Sequence, residues 1–207
     1  MKASYGSLAR FREVKRLRKF NNVTVLGFGG DVSDMQHLDR MLTSLDIREG
    51  YAIGPEEGTE LNANNLYTYL SKVLYKRRSD FNPLWNQVIV AGLDEDSTPF
   101  LASADLLGTT FKALCLATGF GSHLAIPLMR KAVPDEKSVE NLSREDAEKL
   151  LRDCMKVLFY RDARSLDSFS IAVVEKGKGV DMKENEKLEK QSWAFAEGIR
   201  GYGTQVN

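Results

Sequence analysis

From Met35 onward apolar side chains fall three and four positions apart (Met35, Leu38, Met41, Leu42, Leu45), the spacing that gathers one stripe on a helix. Ser33 stands at its head and is the expected N-cap, since its hydroxyl can accept from an unpaired first-turn amide. Residues 23–26 (VTVL) run into Gly27-Phe28-Gly29-Gly30, which predicts a short strand stopped by a glycine turn. A stretch rich in Gly, Pro and Glu at 49–60 is expected to end the first helix as a loop. A second stripe, Leu66, Tyr69, Leu70, Val73 and Leu74, has Asn62 or Asn64 as cap and runs out in Lys76-Arg77-Arg78, cations that suit a helix C-terminus.

Beyond the second helix the period shortens. Strands are predicted at 88–93, 100–107 and 114–118, separated by Asp94-Glu95-Asp96-Ser97 and by Gly108, an order that suits an antiparallel meander. Gly119-Phe120-Gly121 closes the third, and Leu124, Leu128 and Met129 begin a helical face that ends near Pro134. Ser143-Arg144-Glu145-Asp146 opens the clearest helix, carried on by Ala147, Leu150, Leu151, Cys154, Met155 and Leu158. Residues 169–174 (FSIAVV) read as a strand that Gly177-Lys178-Gly179 turns into 180–182. Runs of strands between pairs of helices predict an α+β fold, two sheets face to face with helix pairs outside, rather than alternating βαβ units. No repeat or linker divides residues 1–207, so one domain is expected, with 186–207 as a tail.

Charge narrows the function. Lys and Arg number 29 and Asp and Glu 29, a formal net charge of zero, which argues against a chain that wraps nucleic acid or coats an anionic membrane. The longest strongly apolar run, 88–93, is far short of the ~20 residues of a membrane helix. Cys115 and Cys154 form no CxxC pair and, with His37 and His123, give no metal-ligand spacing; no metal or cofactor is expected, and both thiols are expected in the core. Lys2, Arg10, Arg12, Lys15, Arg16, Arg18 and Lys19 face Glu13 alone over residues 1–20, a transit-peptide-like composition read more simply as a basic, solvent-facing approach to the first strand. Gly27-Phe28-Gly29-Gly30-Asp31, between strand and helix, invites a phosphate-loop reading, but Val32 replaces the third glycine and Asp31 puts a carboxylate where the phosphate would lie. Ser122 and His123 are adjacent, and since sequence neighbours usually point apart the pair makes a poor nucleophile and base.

Several longer stretches are more specific: Ser4-Tyr5-Gly6-Ser7-Leu8-Ala9-Arg10-Phe11-Arg12, Gly30-Asp31-Val32-Ser33-Asp34-Met35-Gln36, Arg77-Arg78-Ser79 with Asn82-Pro83-Leu84-Trp85-Asn86, Ala117-Thr118-Gly119, Tyr160-Arg161-Asp162-Ala163-Arg164-Ser165, and the closing Gly201-Tyr202-Gly203-Thr204-Gln205. Together they resemble the beta subunits of the eukaryotic 20S proteasome, and among these the non-catalytic beta-seven, or beta type-4, class. The resemblance implies the four-layer αββα sandwich of the N-terminal-nucleophile hydrolases. Active members of that family attack with a threonine at the mature N-terminus, its own amine serving as base. That threonine falls upstream of Ser4, before Met1, so the first hairpin is expected to be missing from an N-terminally truncated chain.

Other site positions transfer one by one. The family's catalytic lysine falls on Arg16, which keeps the charge but does not exchange its proton. Its oxyanion-hole glycine falls on Gly30, the serine of its Gly-Ser-Gly turn on Phe120, and its aspartate and serine beside the threonine amine on Asp162 and Ser165. What this implies is a vestigial site in a structural subunit of the core-particle beta ring, supporting assembly and ubiquitin-dependent degradation by catalytic neighbours in cytoplasm and nucleus. The implied partners are other beta and alpha subunits. The alternative is an active threonine endopeptidase whose nucleophile lies outside this sequence. Trp193, Phe195, Ile199 and Tyr202 are the expected interface anchors, because aromatic side chains bury much area at little entropy cost; a terminal segment packed on its own domain is the competing reading.

Overall fold

The computed structural model describes residues 3–53 and 61–199. It opens with a hairpin, β1 (Ala3–Tyr5) against β2 (Leu8–Phe11), rather than the single approach to a strand expected there. Gly6-Ser7 makes the reversal, with Gly6 at φ +58°, a conformation glycine adopts at no steric cost. After an extended segment, β3 (Leu17–Lys19) pairs with β4 (Thr24–Gly30). β4 runs through Gly27 and Gly29 instead of stopping before them, because β5 (Asn86–Leu93) offers a ladder partner as far as Gly30. Between β4 and β5 the chain makes two helices, α1 (Val32–Ile53) and α2 (Ala63–Ser79). β6 (Pro99–Ala104) and β7 (Thr110–Lys112) complete a five-stranded antiparallel sheet of order β3-β4-β5-β6-β7, a meander as expected but with its last strand at 110–112 rather than 114–118.

α1 is capped by Asp31, not Ser33: the Asp31 carboxylate accepts from the Asp34 amide at 2.9 Å, and the Ser33 hydroxyl donates to that carboxylate. The helix also continues through residues 49–53, expected as loop. Asn62 caps α2 in a reciprocal box with Asn65. Leu38, Leu42, Leu66, Leu70 and Leu74 close on Leu26, Phe28, Val88, Val90, Ala102 and Ala104, the even-numbered face of the sheet.

Strand alternation sends Val25, Gly27, Ile89 and Ala91 to the opposite face, where β8 (Ser168–Glu175) crosses β4 and β5 with Phe169 and Ile171 buried. β8 pairs with β9 (Gly179–Lys187), which extends beyond the predicted 180–182. Outside this ladder lie α3 (Gly121–Ala132) and α5 (Arg144–Arg161), with the short α4 (Glu136–Glu140), unforeseen in the sequence, capped by Asp135 between them. The chain is thus layered as helix pair, sheet, strand ladder and helix pair. Residues 114–118 form no ladder. Cys115 and Ala117 are spent on the packing of α3 against α5, beside Ala125, Met129 and Cys154.

Candidate functional site

The end of β4 meets the start of α1 at Gly30-Asp31, and the segment entering β5 clamps the junction. Asn86, buried at the head of β5, donates through Nδ2 to the carbonyls of Gly29 and Asp31, both at 2.9 Å. The Asp31 amide donates to the Trp85 carbonyl at 2.9 Å, and the Trp85 amide donates to an Asp34 carboxylate oxygen at 2.9 Å. Gly30 sits at φ +93°, and a Cβ there would lie 2.2 Å from the Trp85 carbonyl oxygen, so glycine is required twice over. Asn86 closes the Asn82–Asn86 stretch quoted above without being given a role there; its signal is a lone amide at the head of an apolar strand.

Arg16 reaches this junction from the segment before β3. Its Nη1 donates to the Gly30 carbonyl at 2.9 Å, while its own carbonyl accepts from the Phe28 amide at 2.8 Å. Burial draws the guanidinium below its ordinary pKa, and the Asp31 carboxylate counters this; an arginine so placed stays charged. The Asp31 carboxyl is itself held low, first by the Ser33 hydroxyl and then by the Asp34 amide.

Phe120 begins the turn into α3 and is 59% exposed, with no capping bond. Two residues earlier, Thr118 comes up against Gly29, its Oγ1 3.1 Å from where a Cβ would stand. Asp162 and Ser165 lie together past the end of α5. The Ser165 hydroxyl hydrogen-bonds the carbonyls of Asp162 (2.7 Å) and Leu158 (3.1 Å), and the Asp162 carboxylate accepts from the Arg164 amide at 3.0 Å. The structure therefore joins Arg16 to Gly30 and Asp162 to Ser165, and among the described residues no hydrogen bond links the two pairs or ties Phe120 to either. The Ser165 and Ser122 hydroxyls donate to backbone carbonyls, Ser122 to that of Gly119 at 2.6 Å. Burial pushes both cysteine thiols up, holding them as inert packing groups.

Beside Arg16 an open pocket of about 830 Å³ separates the segment after β2 from the first turns of α1, floored by Phe28, Val32 and Met35 and rimmed by Arg12 and Arg18. Arg18 is held there by Asp39 and by Thr43, at 3.0 Å from the latter.

The tail returns to α5. Tyr160 accepts from the Ser192 amide at 2.8 Å and donates to the Ser192 carbonyl at 2.9 Å, and Trp193 meets the Tyr160 ring edge-on at 5.0 Å. Phe195 packs on the same ring at 5.8 Å and carries the Arg161 guanidinium at 5.7 Å. Trp193 and Phe195 nevertheless remain half exposed and Ile199 largely so, while Tyr202 lies outside the described residues.

A sequence profile of the proteasome subunit family matches residues 1–174, and the chain belongs to that family. Comparison with individual relatives narrows the placement to its beta subunits. The chain is 48% identical over 205 residues to the probable proteasome subunit beta type-7 of Schizosaccharomyces pombe, covering 99% of this chain and 76% of that protein. It is 44% identical over 203 residues to proteasome subunit beta type-7 of Saccharomyces cerevisiae, covering 98% and 76% respectively. Against proteasome subunit beta type-4 of Dictyostelium discoideum the identity is 39% over 206 residues, covering 100% and 76%.

Proposed function

We propose that this chain is a non-catalytic structural member of the beta ring of the 20S core particle, built on the αββα sandwich of the N-terminal-nucleophile hydrolases. It supports assembly, and so ubiquitin-dependent degradation by catalytic neighbours, in cytoplasm and nucleus. The observation that carries this reading is Arg16. Where active relatives need a lysine that can trade a proton, this chain places a guanidinium that stays charged and is already bonded to the Gly30 carbonyl at 2.9 Å. Phe120 supports it from the other side, with an exposed ring where active relatives carry a hydroxyl. Asp162 and Ser165 then act as helix-end groups. Trp193, Phe195, Ile199 and Tyr202 are surfaces for neighbouring alpha and beta subunits, with Tyr160 fixing the direction in which the tail leaves.

The test is the native size and company of the chain. Purified through a tag from cells of its source, it is expected to run in a particle many times 23.2 kDa, with alpha and other beta subunits in equal amounts. Elution near its own mass contradicts the proposal.

A further inference from the structure

The last turn of α2 ends in an arrangement that its own fold does not explain. The Asn82 amide donates to the Arg77 carbonyl at 3.0 Å and the Phe81 amide to the Arg78 carbonyl at 3.2 Å, the bond pair of a Schellman motif with Asp80 as C-cap. The residue after the cap must then be left-handed, and the position ordinarily belongs to glycine or asparagine. Here it is Phe81, at φ +54° and 96% exposed. A phenylalanine in this place strains the backbone and buries no ring in return.

Its surroundings are cationic and apolar. Lys76 is neutralised by Asp80 at 2.6 Å, but among the described residues neither Arg77 nor Arg78 meets a carboxylate. Arg77 Nε donates to the Asn82 carbonyl at 2.7 Å, and the Arg78 guanidinium lies 5.5 Å from the centre of the exposed Tyr75 ring. Gly108 abuts Tyr75 so closely that a Cβ would come within 2.6 Å of the Tyr75 Cβ, which brings the exposed Leu107 up beside it.

We infer that this end of α2 is a docking knob, with Phe81 as wedge and Arg77 and Arg78 as flanks, for an apolar recess edged by carboxylates on a neighbouring subunit of the particle. The inference rests on the subunit reading above. Charge complementarity selects the partner: arginines that meet no carboxylate among the described residues, beside an aromatic wedge, match acidic and apolar protein surface. The balance of 29 basic and 29 acidic residues, with Asp80 inside the knob, opposes nucleic acid.

The test co-expresses tagged wild-type or variant chain with the untagged chain in cells of the source and measures each one's share of purified particle. Phe81→Gly is expected to raise the thermal transition of the purified chain, because it relieves strain, yet to lower its share at least about tenfold; Arg78→Glu is expected to lower the share as well. A photo-reactive phenylalanine analogue at position 81 is expected to cross-link to an alpha or beta subunit through a segment containing Asp or Glu. Equal shares for Phe81→Gly and wild type, or a cross-link to nucleic acid, to a second copy of this chain or to nothing, overturn the inference and leave the subunit reading intact. Failure of the wild-type chain itself to enter the particle overturns both.

Discussion

Gly30 and Asn86 show how much one junction depends on single atoms. Gly30→Ala would add a Cβ at a positive φ, 2.2 Å from the Trp85 carbonyl oxygen, and the neighbour is backbone that cannot swing aside. A loss of at least about 2 kcal/mol is expected, read from the urea midpoint of the purified chain. Asn86→Asp would set a carboxylate against the Gly29 and Asp31 carbonyls in place of two donated hydrogen bonds; about 3 kcal/mol is expected from the same measurement, and Asn86→Gln should not restore it fully because the amide would be displaced. Neither demand was fully legible in the sequence. The glycine run at 27–30 announces an unusual backbone, but it reads as the end of a strand because nothing local reveals that β5 will pair with it. The partners of Asn86 lie 57 and 55 residues away, beyond any local pattern. Arg16 and Phe120 were legible only through family resemblance, since no spacing rule marks a position whose meaning is the absence of a lysine or a serine.

Two helix starts were legible from their caps, although α2 left Asn62 and Asn64 open and the Ser33 cap expected for α1 is supplied by Asp31. Asn62 and Ser143 cap α2 and α5 because a cap is settled within four residues, by a side-chain oxygen meeting a first-turn amide. Residues 114–118 were misread for the opposite reason: a strand exists only where a partner ladder does, and here the apolar side chains serve α3 and α5. In the helical layer that α1 and α2 form, Leu70→Ala is expected to cost about 2–5 kcal/mol by chemical denaturation, the side chain being fully buried between helix and sheet. The outer layer is fastened differently, by charge. Arg144 at the head of α5 bonds Glu148 at 2.8 Å and reaches Glu175 and Asp181 on the β8–β9 ladder, while Lys183 returns to Glu148 at 3.3 Å. These contacts hold the Glu148 carboxyl below its ordinary range, the hydrogen bond from Arg144 contributing most. A lowered folded-state pKa means the unfolded chain binds the proton more tightly. The stabilisation is thus complete above the ordinary glutamate value of about 4.3 and is lost as pH falls through the lowered one. Urea midpoints measured on acidification should fall over that window, and Glu148→Gln should flatten the fall.

In the molecule as a whole the layers are tied across their edges. Helix pairs enclose the sheet and the β8–β9 ladder, and the Lys15 ammonium, 2.8 Å from Glu184, ties the segment that carries Arg16 to β9. The order of layers was legible because runs of strands between helix pairs allow few other arrangements. The five-to-two division of strands was not, since pairing is a long-range choice. The surfaces left over, the aromatic tail on Tyr160 and the wedge at Phe81, are exposed and are those proposed above for neighbours. The central claim is assembly without catalysis, and it is tested most directly on the intact particle. The particle containing this chain would be treated with an electrophile that captures N-terminal threonine nucleophiles, and every subunit then weighed by mass spectrometry. The account predicts adducts on catalytic beta neighbours and an unmodified mass for this chain; a stoichiometric adduct on this chain would contradict it.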